Sequence, residues 1–171
     1  PGRVRTVSIG EMRRRLPAEF VQTLAGLFPQ APAERTLKGM GEQRSTTFRA
    51  NTLKADGAEV VRILHDRHIK YRRPPWCAEA FALAELDERD VARWDLYTEG
   101  RIYVQGFSSM LPALALALRP GERVLDLAAA PGSKTTQMAA LMGNAGAILA
   151  VEPDAVRLER LAYNIRLQGC G

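Results

Sequence analysis

Between Asp126 and Thr135 the chain reads Asp-Leu-Ala-Ala-Ala-Pro-Gly-Ser-Lys-Thr. Arg123-Val124-Leu125-Asp126-Leu127 has the pattern of a buried strand, and Ser133 to Met142 that of a helix closed by Gly143, so the run is a strand-to-helix turn. Open α/β sheets bind ligands at such turns, outside the carboxyl ends of their strands. Small residues here let a ligand approach the backbone closely. A phosphate-cradling G-x-x-x-x-G-K-[ST] needs glycine where Ala128 and Ser133 stand, and G-x-G-x-x-G fails because Gly132 is the only glycine in the turn. What remains is an adenosyl ligand without a pyrophosphate. Glu152, at the end of a second strand, is placed to accept hydrogen bonds from two ribose hydroxyls. Together these residues predict a site for S-adenosylmethionine.

The elements that must position this turn are legible around it. Ala147 to Val151 reads as the second strand, and Asp154 to Gln168, ending in Gly169, as the second helix. Strand, helix, strand, helix at these lengths means a parallel sheet with right-handed crossovers. Upstream, Leu16, Phe20, Leu24 and Leu27 or Phe28 recur at helical spacing until Pro29-Gln30-Ala31-Pro32 ends the helix. Thr46 to Leu53 alternates like a strand, and Val60, Val61, Ile63 and Leu64 form a helical stripe after it. Ile69 to Tyr71 and Phe81 to Leu83 supply further short strands, which makes a small α+β module. Tyr97 to Tyr103 reads as the link to a helix over Ser108 to Leu118 and a turn at Arg119 to Glu122.

Charge divides the chain as well. Residues 1–75 carry 15 Lys/Arg against 7 Asp/Glu, and residues 76–171 carry 9 against 12. A basic first half suits a polyanionic partner, since each neutralised phosphate releases counterions. We therefore expect a basic RNA-facing domain over residues 1–100 and the first half of a ligand-binding sheet over 101–171. The longest uncharged apolar run, Met110 to Leu118, is far shorter than the roughly 20 residues of a membrane span. Two cysteines, Cys77 and Cys170, without zinc-knuckle spacing exclude a disulfide scaffold and a metal site, and point to a cytoplasmic chain. The start at Pro1-Gly2, without a methionine or a signal peptide, suggests a fragment.

Asp126 to Thr135, followed by Val-Glu-Pro-Asp-Ala-Val-Arg from Val151 to Arg157 and on to Gly169, resembles the Sun/Fmu family of S-adenosylmethionine-dependent RNA 5-methylcytosine methyltransferases. The family's first motif reads D-x-C-A-A-P-G-G-K-T, from which Ala128 and Ser133 depart, both to small residues. Its second, an acidic residue, then Arg, then an Asn-to-Gly stretch, is matched by Glu152, Arg157, Asn164 and Gly169, with one extra residue before the glycine. Arg49 to Lys54 and Tyr103 to Met110 also resemble family segments, although Gly106 stands where the family has an acidic residue. The resemblance covers about residues 16 to 171 and implies a Rossmann-like methyltransferase sheet. It places Ala128, Ala129, Ala130, Pro131, Gly132, Ser133 and Lys134 along the methionine side of the cofactor, with Lys134 facing cofactor or substrate. Glu152 would hold the ribose, Arg157 flank the adenosine, and Asp126 orient the loop or a bound water. The implied partner is RNA, ribosomal before transfer RNA.

The same resemblance identifies what this chain does not supply. Cytosine C5 is a poor nucleophile, so family enzymes add a cysteine thiolate to C6 before methylating C5, and they carry that cysteine in Pro-Cys motifs on later strands. Neither Cys77 nor Cys170 matches, Cys77 reads as a packed apolar residue, and the chain by itself is expected to be inactive. Plainer readings stand beside the sharper ones. Arg13 to Arg15 and Arg72-Arg73 fit a solvated face, Arg49 and Asn51 fit a brace at the domain junction as well as RNA contact, and His65 and His68 fit an exposed helix face. Trp76 and Trp94 fit packing, with Trp76 also able to stack on a base beside Arg72-Arg73. The competing function is a noncatalytic RNA-binding protein that keeps the loop as a relic, and a small-molecule methyltransferase leaves the basic module without a task.

Overall fold

The computed structural model describes residues 7–42 and 44–171; residues 1–6 and Gln43, part of the expected basic module, lie outside the described residues. The chain divides into two compact units, Pro1–Arg44 and Ser45–Gly171.

The first unit is helical. Helix α1 (Ile9–Arg15) is capped by Ser8, whose side chain accepts from the Glu11 backbone N–H at 3.2 Å. Helix α2 (Ala18–Leu27) carries the expected apolar stripe and ends at Phe28, before the predicted proline break. The break does not end helical structure, because α3 (Gln30–Met40) starts immediately after Pro29. Pro32 lies in the first turn of α3, where a missing N–H removes no intrahelical bond. Leu24, Ala33 and Leu37 close a small core with Ile9 and Leu16.

In the second unit, β1 (Thr47–Ala50) is central to a four-stranded antiparallel sheet of order β2-β3-β1-β4, with β2 at Tyr71–Arg72, β3 at Ala80–Leu83 and β4 at Ile102–Val104. The segment Tyr97 to Tyr103, expected as a link, in fact holds the end of a short helix and two residues of this edge strand. Three residues are too few for alternation to reveal, so pairing with β1 decides it. Residue 100, where the charge change suggested a division, falls inside the second unit. Helix α4 (Gly57–Asp66), capped by Asp56, packs Val60 and Leu64 on one sheet face with Phe48, Phe81, Leu83 and Ile102. Two four-residue helices, α5 (Glu88–Val91) and α6 (Asp95–Thr98), add Val91 and Leu96 to that core. On the other face, Ala80 packs with Met110 of α7 (Phe107–Ala115).

The last third follows the predicted order, although α7, expected to run from Ser108 to Leu118, ends at Ala115 and Ala117 takes a left-handed φ of 48°. Strands β5 (Arg123–Asp126) and β6 (Ala147–Ala150) pair in parallel, connected by α8 (Ser133–Leu141), and α9 (Ala155–Gln168) follows β6. Gly169 ends α9 in the left-handed conformation with φ 73°, as a C-terminal glycine should. The fold is α/β: a small α+β module followed by the first βαβα part of a Rossmann-like sheet.

Candidate functional site

The β5 strand delivers Asp126 to the start of the turn, and its carboxylate ties the turn's two ends together. It accepts from the Ala128 backbone N–H at 3.3 Å and from the Thr135 hydroxyl, on α8, at 2.7 Å. Gly132 lies just before α8 with φ 106°, and a Cβ there would meet Leu161 Cδ1 at 3.1 Å, so both conformation and space call for glycine. Having no side chain, Gly132 cannot cap α8. The first turn of that helix keeps its backbone N–H donors and positive dipole end directed at whatever occupies the loop.

Three successive loop carbonyls are each held by a side chain. Arg157 donates to the Ala130 carbonyl at 2.9 Å, Asn164 to the Pro131 carbonyl at 2.8 Å, and the Thr136 hydroxyl to the Gly132 carbonyl at 2.7 Å. The loop is thereby shaped from behind. Ala129 and Ala130 are buried with Leu161 of α9, whereas Ala128 and Pro131 are exposed and Ser133 and Lys134 half-buried.

Glu152 follows β6 at the same sheet end, with its side chain only 2% exposed. Its carboxylate accepts from the Asp154 backbone N–H at 3.1 Å and lies 3.3 Å from Arg157 Nη1. An ionised carboxylate offers about four acceptor positions, so about two remain. All ten predicted positions, Asp126, Ala128 to Lys134, Glu152 and Arg157, therefore converge on the carboxyl end of the parallel pair.

Sequence reasoning placed Asn164 in a motif and offered Arg49 and Asn51 as a brace at the domain junction, but it missed Thr136 and Gln137 behind the loop. Thr135, Thr136 and Asn164 hold it directly. Behind them Arg49 of β1, 3% exposed, donates from Nε to Gln105 Oε1 at 3.0 Å and from Nη2 to Thr136 Oγ1 at 2.8 Å. Its guanidinium lies over the Tyr103 ring at 5.3 Å, and among the described residues no carboxylate pairs with it. Burial pulls its pKa down to about 10. Gln105 continues to Gln137 Oε1 at 3.0 Å, and Gln137 to the Met110 carbonyl at 3.1 Å. Asn51 donates to the carbonyls of Gly100 at 2.8 Å and Gln168 at 2.7 Å. Arg49 and Asn51 thus brace the junction between the antiparallel sheet and the helices of the parallel pair. The available signal was a charge within an alternating strand, on the face opposite Phe48.

The other candidates fall into place. Cys77 is buried and Cys170 half-buried, and desolvation pushes both thiols up. Arg73 donates to the Ala78 carbonyl and lies over the Phe81 ring at 5.1 Å, while Arg72 is exposed over the Phe107 ring at 5.9 Å. Trp76, 44% exposed, meets Phe107 edge-on at 5.6 Å, and Trp94 packs against the core. Arg13 pairs with Glu34 and Arg15 with Glu11; His65 is exposed on α4, whereas His68, also exposed, lies past the helix end with φ 54° and not on a helix face. Among the described residues no cluster of His, Cys, Asp and Glu could hold a metal ion, and no helix is long and apolar enough to cross a membrane.

Comparison with known proteins decides the family. The N-terminal domain of 16S rRNA methyltransferase RsmF matches residues 16–106, and 16S rRNA methyltransferase RsmB/F matches residues 113–171. The chain belongs to the RsmB/F family of 16S rRNA methyltransferases. Ribosomal RNA small subunit methyltransferase F of Pectobacterium carotovorum is 37% identical over 155 residues, covering 88% of this chain and 32% of the relative. Its counterpart in Shewanella frigidimarina is 39% identical over 125 residues, covering 72% of this chain and 26% of the relative. The chain spans about a third of the length of these curated relatives. A solved methyltransferase homologue from Pyrococcus horikoshii is similar over 95% of this chain and 53% of its own, with 32% identity and a TM-score of 0.80. The two family matches meet between residues 106 and 113, within α7.

Proposed function

We propose that the Ala128 to Lys134 loop, with Asp126, Glu152 and Arg157, binds S-adenosylmethionine, and that the chain is the RNA-facing and cofactor-loop part of a ribosomal RNA cytosine-5 methyltransferase. The observation that carries this reading is the loop itself: three carbonyls held from behind, an uncapped helix N-terminus and a buried acid on the adjacent strand. The bound cofactor would supply an electrophilic methyl group. In this reading the N-terminal amides of α8 take the anionic end of the ligand, and Glu152 accepts from the ribose hydroxyls while Arg157, 3.3 Å away, orients its carboxylate. Ribosomal RNA as substrate places this work in the cytoplasm, and the basic residues of the first 100 meet its phosphates. Neither Cys77 nor Cys170 is favoured as the nucleophile, because desolvation pushes both thiols up, away from the thiolate form.

Isothermal titration of S-adenosylmethionine into the chain and into Glu152→Ala tests the site. Losing hydrogen bonds to a charged acceptor costs roughly 1.5–3 kcal/mol, so the variant should bind about tenfold to a hundredfold more weakly. Equal affinities would remove Glu152 from the ribose. Incubation with labelled cofactor and unmodified ribosomal RNA should yield no 5-methylcytosine from this chain. Methylation abolished by Cys77→Ala or Cys170→Ala would show that one of these cysteines is the nucleophile. RNA binding without cofactor binding would favour a noncatalytic accessory role.

A further inference from the structure

Arg49 is an expensive residue for filling space. A cation buried without a carboxylate partner pays desolvation that an apolar side chain would avoid. What it provides is a pair of charge-assisted hydrogen bonds with fixed direction. A guanidinium only donates, so Thr136 Oγ1 must accept from Arg49 Nη2 at 2.8 Å. The single hydroxyl hydrogen is then left for the Gly132 carbonyl at 2.7 Å. Thr136 is 0% exposed, so bulk solvent takes neither part. A cationic donor polarises the hydroxyl and strengthens its onward bond.

A second arm runs in parallel. The Tyr103 ring that lies under the Arg49 guanidinium carries its hydroxyl 3.3 Å from Asn164 Nδ2. That same amide holds the Pro131 carbonyl at 2.8 Å. Two consecutive loop carbonyls therefore trace back to neighbouring residues on β1 and β4, where Arg49 and Tyr103 are register partners.

We propose that Arg49 is a positioning residue for the loop, acting through Thr136 on the Gly132 carbonyl, so that the antiparallel sheet is part of the scaffold that shapes the cofactor site. The proposal rests on the S-adenosylmethionine reading for its effect on binding, but not for its effect on the loop.

The test uses Arg49→Met, Arg49→Lys, Thr136→Val, which keeps the shape and removes the hydroxyl, and Thr136→Ser, which keeps the hydroxyl. Amide hydrogen exchange over residues 132–136, S-adenosylmethionine affinity and thermal melting are measured for each. Thr136→Val and Arg49→Met should speed exchange over 132–136 and weaken cofactor binding about tenfold, the size expected for a lost charge-assisted bond. Thr136→Ser should restore most of both, Arg49→Lys part of both, and the Arg49→Met/Thr136→Val double variant should bind no worse than the weaker single. Lower melting temperatures with unchanged exchange at 132–136 and unchanged affinity would overturn the proposal, as would independent, multiplying effects. If Arg49→Met does not fold, the Thr136 pair decides. If the parent chain binds no cofactor, the site reading fails while exchange still judges Arg49.

Discussion

Phe48 and Phe81, stacked at 5.1 Å in the antiparallel sheet, are both 0% exposed, whereas Leu125 and Leu149, paired across the two parallel strands, are 55% and 67% exposed. Every residue of β3 is buried, because helices cover both faces of that sheet: α4, α5 and α6 over the phenylalanines, α7 and α8 over Ala80 and Arg49. In β5 and β6 burial alternates. One face packs Ala150 against Leu161 and Ile165 of α9, and the other presents Leu125, Leu127, Leu149 and Val151. Parallel strands are normally covered on both faces, so an apolar residue in this pair does not carry the packing energy its type suggests. The parallel pair positions the loop through backbone bonds, from Val151 N–H to the Asp126 carbonyl at 2.8 Å and from Ala129 N–H to the Val151 carbonyl at 3.1 Å. Within this chain, which spans about a third of its relatives, the buried aromatic packing and the loop's backbone anchors therefore lie in different sheets, joined by Arg49, Gln105 and Asn51.

This contrast can be broken most sharply in the core. Phe48→Ala should destabilise the second unit by about 3–5 kcal/mol in chemical denaturation, as for a fully buried aromatic ring. A loss no larger than that of an exposed leucine would mean the antiparallel sheet does not dominate. Asp126→Ala comes next. It releases the Ala128 N–H and the Thr135 hydroxyl, so faster exchange at those positions and roughly tenfold weaker S-adenosylmethionine binding should accompany a stability loss of about 1–3 kcal/mol. A variant that melts early but keeps its affinity would separate Asp126 from the site.

Smaller effects are expected on the surface. If the basic module meets RNA phosphates, Arg72→Ala should make the log–log salt dependence of single-stranded RNA binding shallower by about 0.7, the increment for one phosphate. Arg73→Ala should change that slope less, because its guanidinium is tied to the Ala78 carbonyl. Equal changes would show that both arginines reach phosphate. The smallest effect belongs to the parallel pair: Leu149→Thr should shift stability by less than about 0.5 kcal/mol, since the side chain is already in solvent. A loss of several kcal/mol would show that its exposed face is packed in solution.

Local pattern determined the last third almost residue by residue. A buried-strand pattern marked β5 and an apolar run marked β6, although burial in both strands alternates between exposed and half-buried; glycines closed the helices, and the small-residue turn with an acid on the next strand located the loop. These signals are carried by neighbours along the chain, so they survive without tertiary context. The three-residue β4 and the four-residue α5 and α6 carried too few residues for any period to show, and the mostly polar α3 was hidden behind Pro29 and Pro32, which read as a break. Alternation put Arg49 on the strand face opposite Phe48 and could not say what would cover that face. Only folding brought Thr136 to it, a partner 87 residues away. A hydrogen bond has direction and range but leaves no periodic trace in sequence, so the elements could be read from the chain, while the bonds that shape the loop were decided by how those elements pack.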